Sequence, residues 1–337
     1  MIRSHNIIKS LHGQRGDTAI LFVLCLPVLL GLAALSVDLA RLNLIKVELQ
    51  NASDAAALGG AYSISIPSAA TNDKPYNWTA ATATATQVAT SNFANGKKIK
   101  DATIDPGYWN ITTRTFNTTG GTGYVPAIRA TVTISSTKNH GPVKFFFAPI
   151  FGIAQSDIQA SAIAVTGAPS GGRGMFPFAI GQSFFNSNWK AGSQKNTVTI
   201  TNVQKGGDGQ WTSLTGNTQA DSFIDGLITT GNTNYLSIGE SIFIANGTKE
   251  NLYKDANDYN VPGKVYAVPV IAQLNQGTYI GNKIVAIAAF QIVSINQNGA
   301  NSSITGHFID GHAFPGLTLG DGSGTLYGAF TAPQMVQ

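Results

Sequence analysis

Residues 18–37 read TAILFVLCLPVLLGLAALSV and contain no charged residue. At a rise of about 1.5 Å per residue, a helix of this length spans about 30 Å, the hydrocarbon thickness of a bilayer. Asp17 and Asp38 close the run at its two ends. A buried core helix is the alternative, but such helices rarely stay apolar on every face for so many turns. The run therefore predicts a transmembrane helix over residues 18–37, with Asp38 at the membrane exit.

Two features inside this run leave alternatives open. Pro27 cannot donate a hydrogen bond to the carbonyl of Val23 and predicts a kink in the span, either a functional bend or an irregularity that transmembrane helices tolerate. The small residues around Ala34 and Ser36 would suit a cleavable signal peptide. The apolar run is longer than a typical signal-peptide core, and the helical pattern continues past it, so a retained anchor is the favoured interpretation.

The flanking basic residues predict the orientation of the anchor. Arg3, Lys9 and Arg15 precede the run, whereas Arg41 and Lys46 follow it. Lys and Arg near a membrane span favour the cytoplasmic side. Residues 1–17 are therefore predicted to be a cytoplasmic basic tail, and the bulk of the chain is predicted to lie outside the cytoplasm.

The helical pattern continues beyond the membrane over residues 38–62. Apolar residues recur there every three or four positions, which makes one stripe: Leu39, Leu42, Ile45, Leu49, Ala52 and Ala56. Ala52, Ala56 and Gly60 are spaced four apart, so another backbone could come close along this row. We expect the row to contact a partner helix. Two alternatives remain: alanine is simply a good helix former, and the protein's own domain could cover the stripe.

Composition limits the rest of the chain. Charged residues make up 11% of the 337 residues, against about 25% in ordinary soluble domains. Ser, Thr, Asn, Gln and Gly replace them, which favours strands and turns. Outside residues 1–16 the chain has 18 basic and 17 acidic residues, so a basic face for nucleic acid is not expected. Cys25 is the one cysteine, which excludes an intrachain disulfide.

The exported part is predicted to contain two modules joined by a linker. Residues 63–168 form a mixed module, with strands near 103–109, 127–134 and 157–165 and a short helix and turn near 144–152. A helix is also expected near residues 78–95, although the alternation of Thr and Ala there is compatible with a strand. Residues 169–180 are a Gly-rich linker. Residues 181–337 form a β-rich antiparallel module with strands near 197–203, 241–245, 265–274, 283–296 and 303–310, the last three as a meander. The predicted fold class is α+β.

Few residues in the chain have the types and spacing of a catalytic or metal site. One cluster of metal-ligand types is present, formed by His307, Asp310 and His312. Catalytic zinc needs three protein ligands held by an ordered second shell, and the sequence identifies neither a complete ligand set nor that shell. The Gly-rich stretch 319–325 resembles half a calcium loop without its bidentate Glu. Neither a nucleophile elbow nor a P-loop is present in the sequence. We therefore expect no enzyme activity, no cofactor, no metal site and no small-molecule substrate.

The N-terminal region combines several motifs at fixed spacing. They are Gln14-Arg15-Gly16, Pro27, the run from Gly31 to Arg41 and the run from Leu49 to Leu58. Together they resemble the N-terminal region of TadE/TadG-like pilus assembly proteins, over residues 13–61. The resemblance implies a single-pass protein of the bacterial inner membrane, in the Tad (Flp) pilus and secretion machinery. Prepilin-like members carry Glu at the fifth position after their cleavage Gly, where this chain has Leu21, so a chain retained whole is favoured.

These features favour a membrane-anchored structural or assembly component of a Tad (Flp) type pilus or secretion apparatus. Its expected partners are other pilus or secretion assembly proteins, which it would meet by protein–protein contact in the periplasm. The alternative is a surface adhesin or minor pilin-like subunit whose β-rich module binds an external target. A periplasmic C-terminal module would favour the first hypothesis, and a surface-exposed one the second.

Overall fold

The protein is described by a computed structural model that covers residues 15–66, 76–189, 196–201 and 208–337. Most of the predicted basic tail, residues 1–14, lies outside these ranges. The α-helices within them are α1 (Arg15–Ile64), α2 (Trp78–Ser91), α3 (Gln182–Asn188), α4 (Asp221–Thr230) and α5 (Glu250–Asp258). A 3-10 helix covers Ala148–Phe151.

The strands are mostly short, and the long ones lie in two antiparallel-dominated sheets. In chain order they are β1 (Phe93–Ala94), β2 (Lys97–Lys98), β3 (Thr103–Asn110), β4 (Thr115–Asn117), β5 (Tyr124–Ile134), β6 (Val143–Lys144), β7 (Gln155–Ser156), β8 (Ile158–Val165), β9 (Pro169–Gly172), β10 (Phe178–Gly181), β11 (Val198–Thr201), β12 (Gly209–Leu214), β13 (Leu236–Ser237), β14 (Phe243–Ile244), β15 (Val265–Ile271), β16 (Ile284–Asn296), β17 (Ser303–Phe308), β18 (His312–Phe314), β19 (Leu317–Leu319), β20 (Ala329–Thr331) and β21 (Gln334–Met335).

Helix α1 has two halves with different surroundings. It is one assigned helix of 50 residues that continues through Pro27. In its first half the large apolar side chains are exposed, as for Ile20 at 63% and Leu29 at 62%. From Asp38 onward one face is buried against the rest of the chain, as at Ile45 and Leu49. The predicted long helix that continues beyond the membrane run is therefore confirmed, and it ends at Ile64.

The first sheet has the strand order β21-β8-β5-β3-β4, and every neighbouring pair is antiparallel. Helices α1 and α2 cover one of its faces. Small side chains dominate that contact, with Ala130 and Val132 of β5 meeting Ala160 and Ala162 of β8 and the alanines of the two helices. Because alanine allows close approach, the helices lie flat on the sheet with little side-chain volume between them.

The second sheet has the strand order β11-β17-β16-β15-β10-β12-β14. Its neighbouring strands are antiparallel except β10 and β15, which are parallel. Successive residues of β16 enter different cores: Ala288 and Phe290 lie in one with α4 and α5, while Ile287 and Ala289 lie in the other. A strand buried on both faces is almost continuously apolar, as the sequence of β16 is.

The two halves of the exported part are joined by more than the chain between them. Strand β21 pairs with β8 of the first sheet through Gln334 and Met335. Phe330 of β20 is fully buried among residues of α1, α2 and β5, including Ile64 and Ile128. The C-terminal part therefore completes both the edge and the core of the first half.

The predicted fold class, α+β with a long N-terminal helix and a β-rich antiparallel C-terminal part, is confirmed. Strands β15, β16 and β17 form the predicted meander. The stretch 169–180, expected as a linker, instead contains β9 and the start of β10. Pairing with β13 and β19 orders its Gly-rich backbone. Helices α3, α4 and α5 were not predicted, and the end of the expected strand 197–203 lies outside the described residues.

Candidate membrane-proximal site

The structure brings one loop of the exported part against α1 at the end of the apolar run. This loop, residues 145–153, reads FFFAPIFGI and is called the aromatic loop below. Strands β6 and β7 pair at its base, and the amide of Phe145 donates to the carbonyl of Ala154 at 3.0 Å. Gly152 ends the 3-10 helix in the left-handed conformation, with φ at 82°. The loop is thus a closed, compact projection.

Asp38 holds the aromatic loop on α1. The residue is 3% exposed. Its carboxylate accepts hydrogen bonds from three successive backbone amides, those of Phe146, Phe147 and Ala148, each at 2.8 Å. Burial alone would raise the pKa of Asp38, but these three hydrogen bonds and the charge of Arg41 outweigh burial and leave the pKa below its usual range. The residue predicted to mark the membrane exit therefore carries a structural contact as an anion.

Arg41, one turn further along α1, makes a second connection. Its guanidinium donates to the carbonyl of Lys144 at 2.7 Å and to the side-chain oxygen of Asn95 at 2.9 Å. The same group lies 4.7 Å from the centroid of the Phe146 ring, a cation–π arrangement. Arg41 therefore ties the base of the aromatic loop and the β1–β2 turn to the same point on the helix.

The aromatic loop presents its large side chains outward. Ile150 is 81% exposed, Phe146 66% and Phe151 58%. The loop also reaches back along α1, because the ring of Phe151 lies 3.7 Å from the position that a Cβ on Gly31 would occupy. Gly31 is inside the predicted membrane span. The exposed apolar surface of the loop is therefore continuous with that of the span.

A second apolar surface runs along the opposite face of α1. Val37, Ala40, Leu44 and Val47 recur every three or four residues and are all exposed; for Leu44 the exposed fraction is 60% and for Val47 it is 55%. This row, called the outer stripe below, continues the apolar run beyond Asp38. Nothing among the described residues of the chain covers it.

The predicted partner-helix row is placed differently from the expectation. Ala52 and Ala56 are fully buried in the core beneath the first sheet. A Cβ on Gly60 would lie 3.0 Å from both Ala85 of α2 and Ile128 of β5. The close approach of another backbone predicted for this row occurs at Gly60, where the approaching helix is α2 of the same chain. The row is therefore occupied by an intramolecular contact and offers no surface to a partner helix.

The remaining candidates of the sequence do not come together. The Nε2 atom of His307 is hydrogen-bonded to Oε1 of Gln291 at 2.8 Å. Burial lowers the pKa of His312, and the centroid of its ring lies 4.7 Å from that of Phe314. Asp321 of the Gly-rich stretch accepts from the amide and the hydroxyl of Ser323, at 2.9 and 2.5 Å. Among the described residues, no group of three His, Cys, Asp or Glu side chains could hold a metal ion.

The contact between Asp38 and the aromatic loop could not be recognised from local sequence. Its two partners are 108 to 110 residues apart, so no spacing rule connects them. The available signals were an acidic residue directly after an apolar span and an unusually aromatic segment. These two signals mark the two ends of the contact without joining them.

Two family models match the N-terminal half of the chain. Residues 16–63 match the TadE/G-like Flp pilus-assembly family, and residues 50–164 match the Tad-like Flp pilus-assembly family. The matches run together from α1 almost to the end of β8 and include Asp38 and the whole aromatic loop. No curated protein and no solved structure matches the chain.

Proposed function

We propose, from the premise that residues 16–164 match two Flp pilus-assembly family models, that this protein is a membrane-anchored assembly component of a Tad-type pilus. Its first helix anchors it in the bacterial inner membrane with the basic tail in the cytoplasm. The domain that follows stands in the periplasm and acts by binding other proteins of the apparatus. The family matches connect the chain with Flp pilus assembly, while this position and this mode of action are the proposal.

The anchor is supported by the character of α1. Its first half contains an 18-residue window with a mean hydropathy of 2.8, none of which is buried. A soluble core helix of that hydropathy would be covered by its own protein. A signal sequence would show the same hydropathy, but here α1 continues without a break into the hydrophobic core beneath the first sheet. Cleavage within residues 34–36 would release that core from the membrane.

The outer stripe carries the proposal that the protein acts by contact. Leu44 and Val47 stand beyond Asp38, on the face turned away from the first sheet. Apolar side chains left in water at such positions forgo about 1.5–3 kcal/mol of burial each. Since residues of the chain's own domain cover the opposite face, a neighbouring subunit of the pilus apparatus is the partner that would cover this one.

The test is a polar substitution of the outer stripe in cells that assemble the pilus. Leu44→Asn combined with Val47→Asn is expected to abolish co-purification with the other Flp pilus-assembly proteins and to reduce the number of pili. Leu39→Asn is the matched control, because Leu39 is 59% exposed on the same helix but lies outside the stripe. Retained co-purification and normal piliation in the double variant would refute the contact role.

The position of the domain is tested separately. A fluorescent reporter that matures only in the cytoplasm, fused after Gln337, should stay dark, and protease added to intact cells should leave the domain uncut. Bright reporter fluorescence would refute the orientation. Cleavage in intact cells would instead place the domain at the surface, as in the adhesin alternative.

A further inference from the structure

We propose that the aromatic loop is embedded in the lipid bilayer, so that the exported domain enters the membrane at a second place beside α1. The inference rests on the proposed anchor, since it takes its depth from the membrane span. It concerns a lipid contact of residues 145–153, which is distinct from the protein contact proposed for the outer stripe.

The position of the loop along α1 is the first argument. Phe151 reaches Gly31, which precedes Asp38 by seven residues, or about 10 Å of helix. If the loop lay outside the lipid, the membrane would have to end before Gly31. Residues 18–30 alone would then cross it, over about 20 Å, which falls short of the roughly 30 Å hydrocarbon layer. The helix cannot make up the difference by sliding, because Arg15 and Asp17 precede the run.

The chemistry of the loop is the second argument. Residues 145–153 contain no charged residue, and their large apolar side chains are three phenylalanines at the start followed by Ile150, Phe151 and Ile153. Ile153 is 54% exposed, in addition to the outward side chains described above. Soluble monomers rarely expose so continuous an apolar surface. Aromatic and aliphatic side chains of this kind are typical of segments that lie at a membrane interface.

The backbone of the loop is the third argument, because lipid cannot replace a missing hydrogen bond. The amide of Phe145 pairs with Ala154, and the next three amides donate to Asp38. Pro149 has no amide hydrogen. The amides of residues 150, 152 and 153 donate to carbonyls within the loop. Seven of the eight amide hydrogens of residues 145–153 are paired in this way, which lowers the free-energy cost of moving the loop into an apolar medium.

The surroundings of the loop fit the level of lipid headgroups. A cavity of about 350 Å³ beside its base is lined by Arg41, Lys97, His140 and Lys144, among others. Basic side chains next to an inserted apolar segment favour anionic phosphate groups. A protein partner could also cover apolar side chains, but contact with the membrane span itself points to lipid as the occupant.

The experiment measures the depth of single labels in the full-length protein. Cys25→Ser removes the one native cysteine, and an environment-sensitive fluorophore is attached to Ile150→Cys or, in a second variant, to Ile153→Cys. The protein is reconstituted into vesicles of phosphatidylethanolamine and phosphatidylglycerol. Quenching by lipids with a nitroxide near the top of the acyl chain is compared with quenching by aqueous iodide. Leu29→Cys reports the anchor, and Thr112→Cys reports a position in water.

The expected result is that both loop labels lose fluorescence to the nitroxide lipids and resist iodide, as the Leu29 label does. Iodide quenching at both loop positions, with lipid quenching kept at Leu29, would overturn the loop proposal and leave the anchor intact. Resistance of the loop labels to both quenchers would show coverage by protein and would also overturn it. Iodide quenching at Leu29 would refute the anchor, and the loop proposal with it.

Discussion

Asp38 illustrates how one carboxylate can determine the position of a whole loop. Its oxygens accept hydrogen bonds from three successive backbone amides in a segment more than 100 residues away. Asp38→Asn keeps the size of the side chain but replaces one acceptor oxygen with a donor. We expect amide hydrogen exchange of Phe146, Phe147 and Ala148 to become much faster, while exchange in the first sheet stays unchanged.

Asp54→Asn is the control for this experiment, because Asp54 lies on the same helix and bonds only the Gln50 side chain among the described contacts. Its effect on the loop amides should be negligible. Equal exchange rates in wild type and in Asp38→Asn would show that the carboxylate does not hold the loop.

The same carboxylate predicts a pH dependence. The folded pKa of Asp38 lies below its ordinary value of 3.8. A depressed pKa means that the carboxylate stabilises the folded loop at pH values above the unfolded pKa, and that this contribution is lost as pH falls through the folded pKa. The loop amides should therefore stay protected at a pH where ordinary aspartates are already protonated. Loss of protection well above pH 3.8 would contradict this assignment.

The partner-helix row and the outer stripe should respond differently, in the free energy of unfolding, to a larger side chain. Ala56→Leu inserts volume into a fully buried contact and should lower the free energy of unfolding by about 1–3 kcal/mol, with partner binding retained below the melting temperature. Ala40→Leu, on the exposed face, should change it by less than about 0.5 kcal/mol. Chemical denaturation of both variants in detergent measures the difference. Equal stability of both would refute the intramolecular packing of the row.

At the scale of an element, α2 shows a helix start that its sequence encodes. Asn77 is the N-cap, and its side-chain oxygen accepts a hydrogen bond from the backbone amide of Ala80 at 3.0 Å. Its side-chain nitrogen donates to the carbonyl of Ile66 at 3.0 Å. Asn77→Ala should lower the free energy of unfolding by about 1 kcal/mol. Thr79→Ala, exposed in the same turn, is the control and should have almost no effect. No loss in the Asn77 variant would contradict the capping role.

At the scale of elements, the sequence was most informative where an apolar pattern continues over many residues. The long helix α1 and the meander strands β15–β17 follow from such patterns, although Leu39 of the predicted stripe is exposed. Helices α4 and α5 were not predicted, for two different reasons. Helix α4 contains Gly226 and several β-branched residues, which are poor helix formers. Helix α5 follows Lys249, which is in a left-handed conformation and provides no side-chain cap. For the site, Asp38 and the aromatic segment were each visible. Their contact was not, because it depends on tertiary folding.

At the scale of the whole molecule, Phe330 should couple the two halves. It belongs to a C-terminal strand but is fully buried in a cluster with Ala81 and Ile128 of the N-terminal half. Phe330→Ala should lower the free energy of unfolding by about 3–5 kcal/mol. Hydrogen exchange should then accelerate both at Ala130 in the first sheet and at Ala288 in the second.

The control for this coupling is Phe223→Ala, since Phe223 is 43% exposed on α4. It should alter neither sheet. Faster exchange at only one of the two reporter positions in Phe330→Ala would show that the halves unfold independently.

The unbroken course of α1 also has a mechanical consequence. With the proposed anchor in the bilayer, the helix from Asp38 to Ile64 would extend about 39 Å beyond the membrane. The first sheet is packed on its side, so helix and domain would tilt together. Transmembrane helices are tilted by about 20° on average, and a helix longer than the bilayer is thick can tilt further to fit it. A tilt of about 20° displaces the far end of a helix of this length sideways by about 13 Å. The thickness of the surrounding lipid would thus set the height and direction in which the domain is presented.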